Sequence, residues 1–98
     1  MIYVGGWDCP ACKFWKANSK AQWLASTEYK QVQWIEVDAP KLKEAYQDRY
    51  WPDALKPVLA QLPVKSGTPR FLIAKDGKVV SNSERWETTM ADLKKQLG

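Results

Sequence analysis

The sequence lacks histidine altogether, and it has only two cysteines among its 98 residues. The missing imidazole removes the usual base of serine and cysteine nucleophiles, the commonest general acid–base catalyst and the commonest nitrogen ligand of metals. A zinc site normally needs four cysteine or histidine ligands, so these two cysteines exclude a zinc site built by one chain. We therefore expect neither a hydrolase that depends on histidine nor a structural zinc domain.

Long apolar runs and blocks of one charge are missing too. No stretch approaches the roughly 20 apolar residues that a membrane span requires. The chain opens with strand composition instead of the basic and apolar regions of a signal peptide. The net charge is +4, but basic residues are scattered among acidic ones and form no cluster. We expect one monomeric domain over residues 1–98, with no membrane span and no nucleic-acid partner.

The most informative stretch is a C-x-x-C sequence at residues 9–12, placed between a strand and a helix. Residues 1–4 have strand composition, and the glycines at 5 and 6 end that strand. Pro10 suits the first position of a helix, because its fixed φ is helical and its missing N–H costs nothing there. The two sulfurs are therefore predicted to lie at the first turn of a helix.

This position predicts redox chemistry. Unpaired N–H groups and the positive end of the helix dipole favour a thiolate, and so lower the pKa of a cysteine at the helix start. Cys9 lies closest to that end, and Cys12 follows on the same side of the helix. We predict that Cys9 attacks a disulfide and that Cys12 resolves the mixed disulfide that forms.

Three alternatives to disulfide exchange are open to a chain of this sequence. An inert structural disulfide closing so short a loop would add only about 2 kcal/mol to stability. Two thiolates can also hold Cu(I) or a related soft metal, and a non-enzymatic metal-binding module remains the alternative function. A redox-inert adaptor that binds partners through a tryptophan-rich surface is the third, since the chain has six tryptophans.

Apolar spacing predicts the first half of the chain as strand, helix, strand and helix. A helix over residues 10–25 is expected to bury one face, leaving Trp15 and Trp23 partly off it; that face comprises Phe14, Ala17, Ala21, Leu24 and Ala25. Residues 32–37 form the second strand, which the crossover helix makes parallel to the first. Asp38 is predicted to cap a second helix that ends before Pro52, with a stripe of Leu42, Ala45, Tyr46, Arg49 and Tyr50.

The second half predicts a short helix, a hairpin and a final helix. The short helix is expected within 53–61, although Pro57 disfavours helical geometry at Lys56. Two antiparallel strands flank an Asp-Gly turn at residues 76 and 77. The last helix is predicted over 90–97, capped by Thr89 with Asp92 three residues on, and burying Met90, Leu93 and Leu97.

This element order, with C-x-x-C at the first strand–helix junction and Thr68-Pro69 before the third strand, resembles the short form of the thioredoxin superfamily. The resemblance implies an α/β fold of the type βαβ-α-ββα, with a four-stranded mixed sheet flanked by helices. It also implies a thiol-disulfide oxidoreductase that exchanges disulfides with protein or small thiol substrates and needs no organic cofactor. Pro69 would be a cis-proline beside the cysteines, and the Thr68 backbone would pair with a bound substrate.

Departures from thioredoxin affect how the thiols are tuned. Lys13 matches the family's lysine after the second cysteine, whereas the buried acid six residues before the first cysteine is Tyr3 here. Asp8 either replaces that acid or caps the helix, and it also raises the pKa of a neighbouring thiol. We expect Asp8, Pro10 and Lys13 to set the thiol pKa values.

Further departures concern partners and compartment. The glycine pair that glutaredoxins carry after the proline-bearing strand is absent, so glutathione use is left open, as is the direction of electron flow. Trp7, two residues before Cys9, is predicted to contact a partner, because aromatic side chains anchor interfaces. The expected partners are disulfide or dithiol proteins and a protein that recycles the pair. Residues around the motif resemble exported bacterial thioredoxin-like proteins, which implies the periplasm, with the cytoplasm as the alternative.

Overall fold

Four strands form one mixed sheet in a computed structural model that describes residues 1–98. The strands are β1 (Ile2–Gly6), β2 (Ile35–Ala39), β3 (Arg70–Lys75) and β4 (Lys78–Ser83), in the order β2-β1-β3-β4. β1 pairs parallel with β2 and antiparallel with β3, and β3 pairs antiparallel with β4. The parallel pair and the antiparallel hairpin are both confirmed, and the chain is of the α/β class.

Helical segments cover both faces of this sheet. The chain leaves β1 through α1 (Pro10–Trp15), which continues as a π-helical turn (Lys16–Lys20) into α2 (Ala21–Leu24). α3 (Lys56–Ala60) and α4 (Trp86–Leu97) follow later. Four 3₁₀ turns complete the fold: Tyr29–Gln31, Leu42–Glu44, Asp48–Tyr50 and Asp53–Leu55. No helix is long and apolar enough to cross a membrane.

Alternation along β1 divides the interior into two cores, because successive side chains of a strand point to opposite faces. Ile2 and Val4 enter one core with α3 and the 3₁₀ turns. Tyr3 enters the other, which contains both cysteines, Trp15, Trp23, Phe71 and Leu93. The cysteine pair therefore lies over an aromatic core, in which the rings of Tyr3 and Trp15 stack at 5.3 Å.

The predicted buried face of the first helix is wrong. Phe14 is 70% exposed and Leu24 39% exposed, whereas Trp15 and Trp23 are buried; Ala17, Ala21 and Ala25 are exposed as well. A buried indole removes far more apolar area from water than an alanine does, so the tryptophans determine which face turns inward. The π-helical turn has more residues per turn than an α-helix, so it changes the angle around the helix axis between the side chains of Trp15 and Trp23.

The predicted helix after β2 is also wrong. Asp38 lies inside β2, opposite Gly5, instead of capping a helix. The following residues form separate 3₁₀ turns, and the buried Trp51 donates its indole N–H to the Ala45 carbonyl at 2.8 Å. That carbonyl would accept the N–H of Arg49 in a continuous helix. A side-chain contact thus takes the place of a helical hydrogen bond.

The remaining expectations are met in part. Within 53–61 the chain forms a 3₁₀ turn and then α3, and Lys56 is helical (φ −61°, ψ −36°) despite the proline that follows. Asp76 (φ 53°) and Gly77 (φ 81°) form the expected two-residue hairpin. The final helix begins at Trp86, four residues before the predicted start, because Arg85 is the last extended residue.

The interior of α4 differs accordingly from the prediction. Thr89 is buried within the helix, where its hydroxyl donates to the Arg85 carbonyl at 3.0 Å and caps nothing. Leu93 is buried as expected, Met90 is half-buried, and Leu97 is 37% exposed. Asp92 accepts a hydrogen bond from Ser81 at 2.7 Å, which fastens the helix to β4.

Candidate dithiol site

The two cysteines form a disulfide at the start of α1. Their Cα atoms are 5.2 Å apart. Cys9 is the N-cap, with an extended backbone, and its sulfur accepts the N–H of Cys12 at 3.1 Å. Pro10 occupies the first helical position, as predicted. On reduction, the unpaired N–H groups of this turn would stabilise a Cys9 thiolate.

A second segment reaches Cys9 from far along the chain. The Thr68–Pro69 peptide bond is cis, as the sequence resemblance implied. The Thr68 hydroxyl donates to the Cys9 sulfur at 3.2 Å, across 59 residues of sequence. A hydroxyl donor favours the negatively charged form of the sulfur that accepts it. The resemblance implied a role for the Thr68 backbone, whereas this side-chain contact was missed.

The loop before Pro69 is held by a buried arginine that the sequence analysis did not single out. The side chain of Arg70 is 11% exposed and donates to Tyr46 Oη at 2.9 Å, to the Ser66 carbonyl at 2.8 Å and to Glu84 at 2.9 Å. Tyr46 in turn donates to the Gly67 carbonyl at 2.6 Å. Burial raises the pKa of Tyr46, although the charge of Arg70 opposes that shift. The one available signal was an arginine directly before the apolar stretch of β3 at residues 71–74.

Beneath Cys12 lies a polar group of three side chains. The buried Tyr3 donates its hydroxyl to Asp38 at 3.2 Å, and Lys16 binds the same carboxylate at 2.5 Å. The Lys16 ammonium also lies 5.2 Å from the centre of the Tyr3 ring. Burial, then the charge and hydrogen bond of Asp38, then the charge of Glu36 raise the pKa of Tyr3 far above its ordinary value. This phenol therefore stays protonated while the protein is folded.

Asp8 binds a different element from the one expected. Its carboxylate accepts the N–H of Leu42 at 2.6 Å and so caps the 3₁₀ turn after β2. Capping was one of the two roles weighed for Asp8, but the capped element is not α1. Lys13 is exposed on α1. Tuning of the thiols by Asp8, Pro10 and Lys13 stays a prediction.

Exposed aromatic side chains surround the motif. Trp7 is 64% exposed and Phe14 70% exposed. Phe14 also lines an open groove of about 250 Å³, together with Pro69, Arg85 and Trp86. The other tryptophans lie wholly or largely in the interior. Trp7 therefore has the exposure that its predicted role in partner binding requires.

The cysteine sulfurs are also the strongest candidates for holding a soft metal. The structure contains no cluster of three or more histidine, cysteine, aspartate or glutamate side chains. Metal binding at this site would thus use two sulfurs, with any further ligand supplied from outside the chain.

Comparison of the chain with protein-family models, with curated proteins and with solved structures finds no match. The thioredoxin resemblance therefore rests on the residues and on the element order described above.

Proposed function

We propose that this chain is a thioredoxin-like thiol-disulfide oxidoreductase. The observation that carries the proposal is the Cys9–Cys12 disulfide at a helix start, with the Thr68 hydroxyl bound to the Cys9 sulfur. The sheet order and the cis-proline are compatible with the short thioredoxin-like arrangement. An inert staple would need neither the helix-start position nor the hydroxyl donor.

The reaction begins with the reduced pair. The Cys9 thiolate attacks one sulfur of a substrate disulfide, a new S–S bond forms, and the other substrate sulfur leaves as a thiolate. Cys12 then loses its proton and attacks the Cys9 sulfur, which releases the second substrate thiolate. Two electrons have passed from the cysteine pair to the substrate. The reverse sequence oxidises a substrate dithiol, and a recycling partner restores the starting state.

Access to Cys9 limits which substrates can react. Cys9 is 2% exposed in the oxidised protein, so a partner must approach it closely through the surrounding side chains. The exposed side chains of Trp7 and Phe14, on either side of the motif in the sequence, would contact that partner, since exposed aromatic side chains contribute strongly to protein interfaces. Disulfide-bearing or dithiol proteins are therefore the proposed substrates.

Single-cysteine variants test the assignment. Reduction of a disulfide-bonded model protein by dithiothreitol would be followed with wild type, Cys9→Ser and Cys12→Ser, and with Ala11→Ser as the matched control. Cys9→Ser should abolish catalysis, Cys12→Ser should accumulate a mixed disulfide, and Ala11→Ser should remain active. An active Cys9→Ser protein would overturn the proposal. Stoichiometric, chelator-resistant copper binding by a wild type without exchange activity would point instead to metal capture.

A further inference from the structure

The resolving step requires a proton acceptor near Cys12. Cys12 is 1% exposed and lies one turn inside α1, further from the positive end of the helix than Cys9. Burial away from water disfavours a thiolate and raises the pKa of a thiol. With no histidine in the chain, the usual base is absent. A neighbouring group must therefore take this proton if the exchange proposed above is to proceed rapidly.

The hydroxyl of Tyr3 and the Cys12 sulfur both lie against the bare α-carbon of Gly5. A Cβ built there would clash with the Tyr3 hydroxyl and would lie 3.0 Å from Cys12 Sγ, which places the hydroxyl and the sulfur within about 5 Å of each other. Glycine at this position thus leaves space for both groups. A larger residue would displace the hydroxyl.

A carboxylate lies on the far side of that hydroxyl. Asp38 accepts the Tyr3 hydrogen bond and pairs with Lys16, whose amine approaches from the helical side. The side chain of Asp38 is 19% exposed, so this carboxylate retains a route to water. Glu36 is the other charged group that acts on Tyr3 from β2. From β3 the ring of Phe71, which carries no charge, lies 6.1 Å from the Tyr3 ring.

We propose that Tyr3 and Asp38 form a relay that takes the proton from Cys12 when it resolves the mixed disulfide. This inference rests on the proposed function and assigns residues to its second step. The S–H bond of Cys12 breaks as its proton passes to the Tyr3 oxygen, while the Tyr3 hydroxyl proton passes to Asp38. The Cys12 sulfur then bonds to Cys9 Sγ, and the substrate thiolate leaves with the electron pair of the broken S–S bond. Asp38 later releases its proton to water.

The raised pKa of Tyr3 agrees with this division of roles. A phenol that stays protonated cannot itself store the proton, so it passes one on while receiving another. Asp38 receives the Tyr3 proton and does not itself contact the reacting sulfurs, so it acts on the reaction only through Tyr3. Lys16 holds the carboxylate in place.

A disulfide with a coloured leaving group separates the two steps. When the reduced protein reacts with dithiobis(nitrobenzoate) under single-turnover conditions, attack by Cys9 releases one thionitrobenzoate and resolution by Cys12 releases the second. Both phases would be followed by stopped-flow absorbance as a function of pH. The variants are Tyr3→Phe, Asp38→Asn and their combination. Tyr29→Phe is the control, because it removes a half-buried phenol hydroxyl elsewhere in the same core.

Tyr3→Phe should slow the second phase about tenfold or more near neutral pH, the low end of what a positioned proton acceptor contributes. The slowed phase should then accelerate with rising pH, as hydroxide and buffer replace the relay. Asp38→Asn should behave in the same way, and the double variant should be no slower than the slower single variant, because both residues act in one path. The first phase and Tyr29→Phe should remain unchanged.

The experiment distinguishes failure of the relay from failure of the proposed oxidoreductase function. A second phase in Tyr3→Phe with the wild-type rate and pH profile would overturn the relay and leave the oxidoreductase intact. A wild type that releases no thionitrobenzoate through Cys9 would overturn the proposed function itself. Tyr3→Phe keeps the ring that stacks on Trp15, so it serves as the decisive variant if Asp38→Asn does not fold.

Discussion

Replacing Arg70 with methionine gives the sharpest test of how the Thr68 loop is held. The guanidinium makes four hydrogen bonds, to Tyr46, Asn82, Ser66 and Glu84. A methionine replaces the aliphatic stem of the arginine and removes all four. The variant therefore keeps most of the packing of the stem while it removes the polar network.

The expected loss in the free energy of unfolding depends on the groups that lose their hydrogen bonds to Arg70. Asn82 and Glu84 are exposed and regain hydrogen bonds to water in the variant. Tyr46 is buried, so its hydroxyl oxygen loses the Arg70 donor in the protein interior. Loss of a charge-assisted hydrogen bond costs about 1.5–3 kcal/mol, and breaking a buried charged network costs about 3–5 kcal/mol. Since two of the acceptors are rehydrated, we expect Arg70→Met to lower the free energy of unfolding by about 3 kcal/mol.

Urea unfolding followed by tryptophan fluorescence measures this loss. The matched control is Arg49→Met, because Arg49 pairs with Glu44 through a side chain that is 63% exposed, and such pairs contribute about 0–1 kcal/mol. Arg70→Lys should be intermediate, since it keeps the charge but loses the fork. Equal losses in Arg70→Met and Arg49→Met would refute the reasoning, and with it the view that this network fixes the loop on Cys9.

Three further predictions concern the surroundings of the site. Asp8→Ala should cost about 1 kcal/mol in urea unfolding by removing the cap of Leu42, whereas Asp8→Asn keeps an acceptor and should cost less; equal losses would contradict this role. Burial raises the pKa of Glu36, but hydrogen bonds from Lys20 and Trp34 outweigh it and leave the pKa lowered, so this contribution to stability is lost as pH falls through the folded-state value. Lys20→Met should raise the pKa of Glu36 in an NMR titration, and the free energy of unfolding should then decrease less as the pH falls; an unchanged titration would contradict the pairing. Trp7→Ala should change stability little but raise KM for a disulfide-bonded protein substrate, and an unchanged KM would remove Trp7 from the partner surface.

Local rules in the sequence predicted much of the fold. Pro10 identified the helix start, because its fixed φ and missing N–H suit the first helical position. Asp76-Gly77 identified the hairpin turn, because few other residues adopt its positive φ angles. Burial of every residue of β1 agrees with its central place in the sheet.

The errors arose where side chains compete with backbone rules. Apolar spacing treated alanines and tryptophans as equal, so it placed the wrong face of the first helix inward. The segment after β2 had helical spacing, but Trp51 binds the carbonyl of Ala45 and the helix does not form. Neither the inward face of the first helix nor the hydrogen bond of Trp51 follows from the spacing of apolar residues within a single element.

The site was predicted in part for the same reason. The cysteine pair is a short motif with a local structural context, and it was found directly. The hydroxyl of Thr68 and the guanidinium of Arg70 act across long sequence separations, and only the folded chain brings them to their partners. Tyr3 was noted as a departure from thioredoxin, whereas its hydrogen bond to Asp38 across 35 residues was not foreseen.

The equilibrium reduction potential of the Cys9–Cys12 pair tests the central claim most directly. The protein would be equilibrated with glutathione and dithiothreitol buffers and followed by tryptophan fluorescence, because the disulfide lies in the same core as Trp15 and Trp23. We predict a reversible two-electron transition with a midpoint between about −270 and −120 mV, the span of thioredoxin-like oxidoreductases. A pair that shows no reversible transition in these buffers would contradict the assignment of thiol-disulfide exchange to this chain.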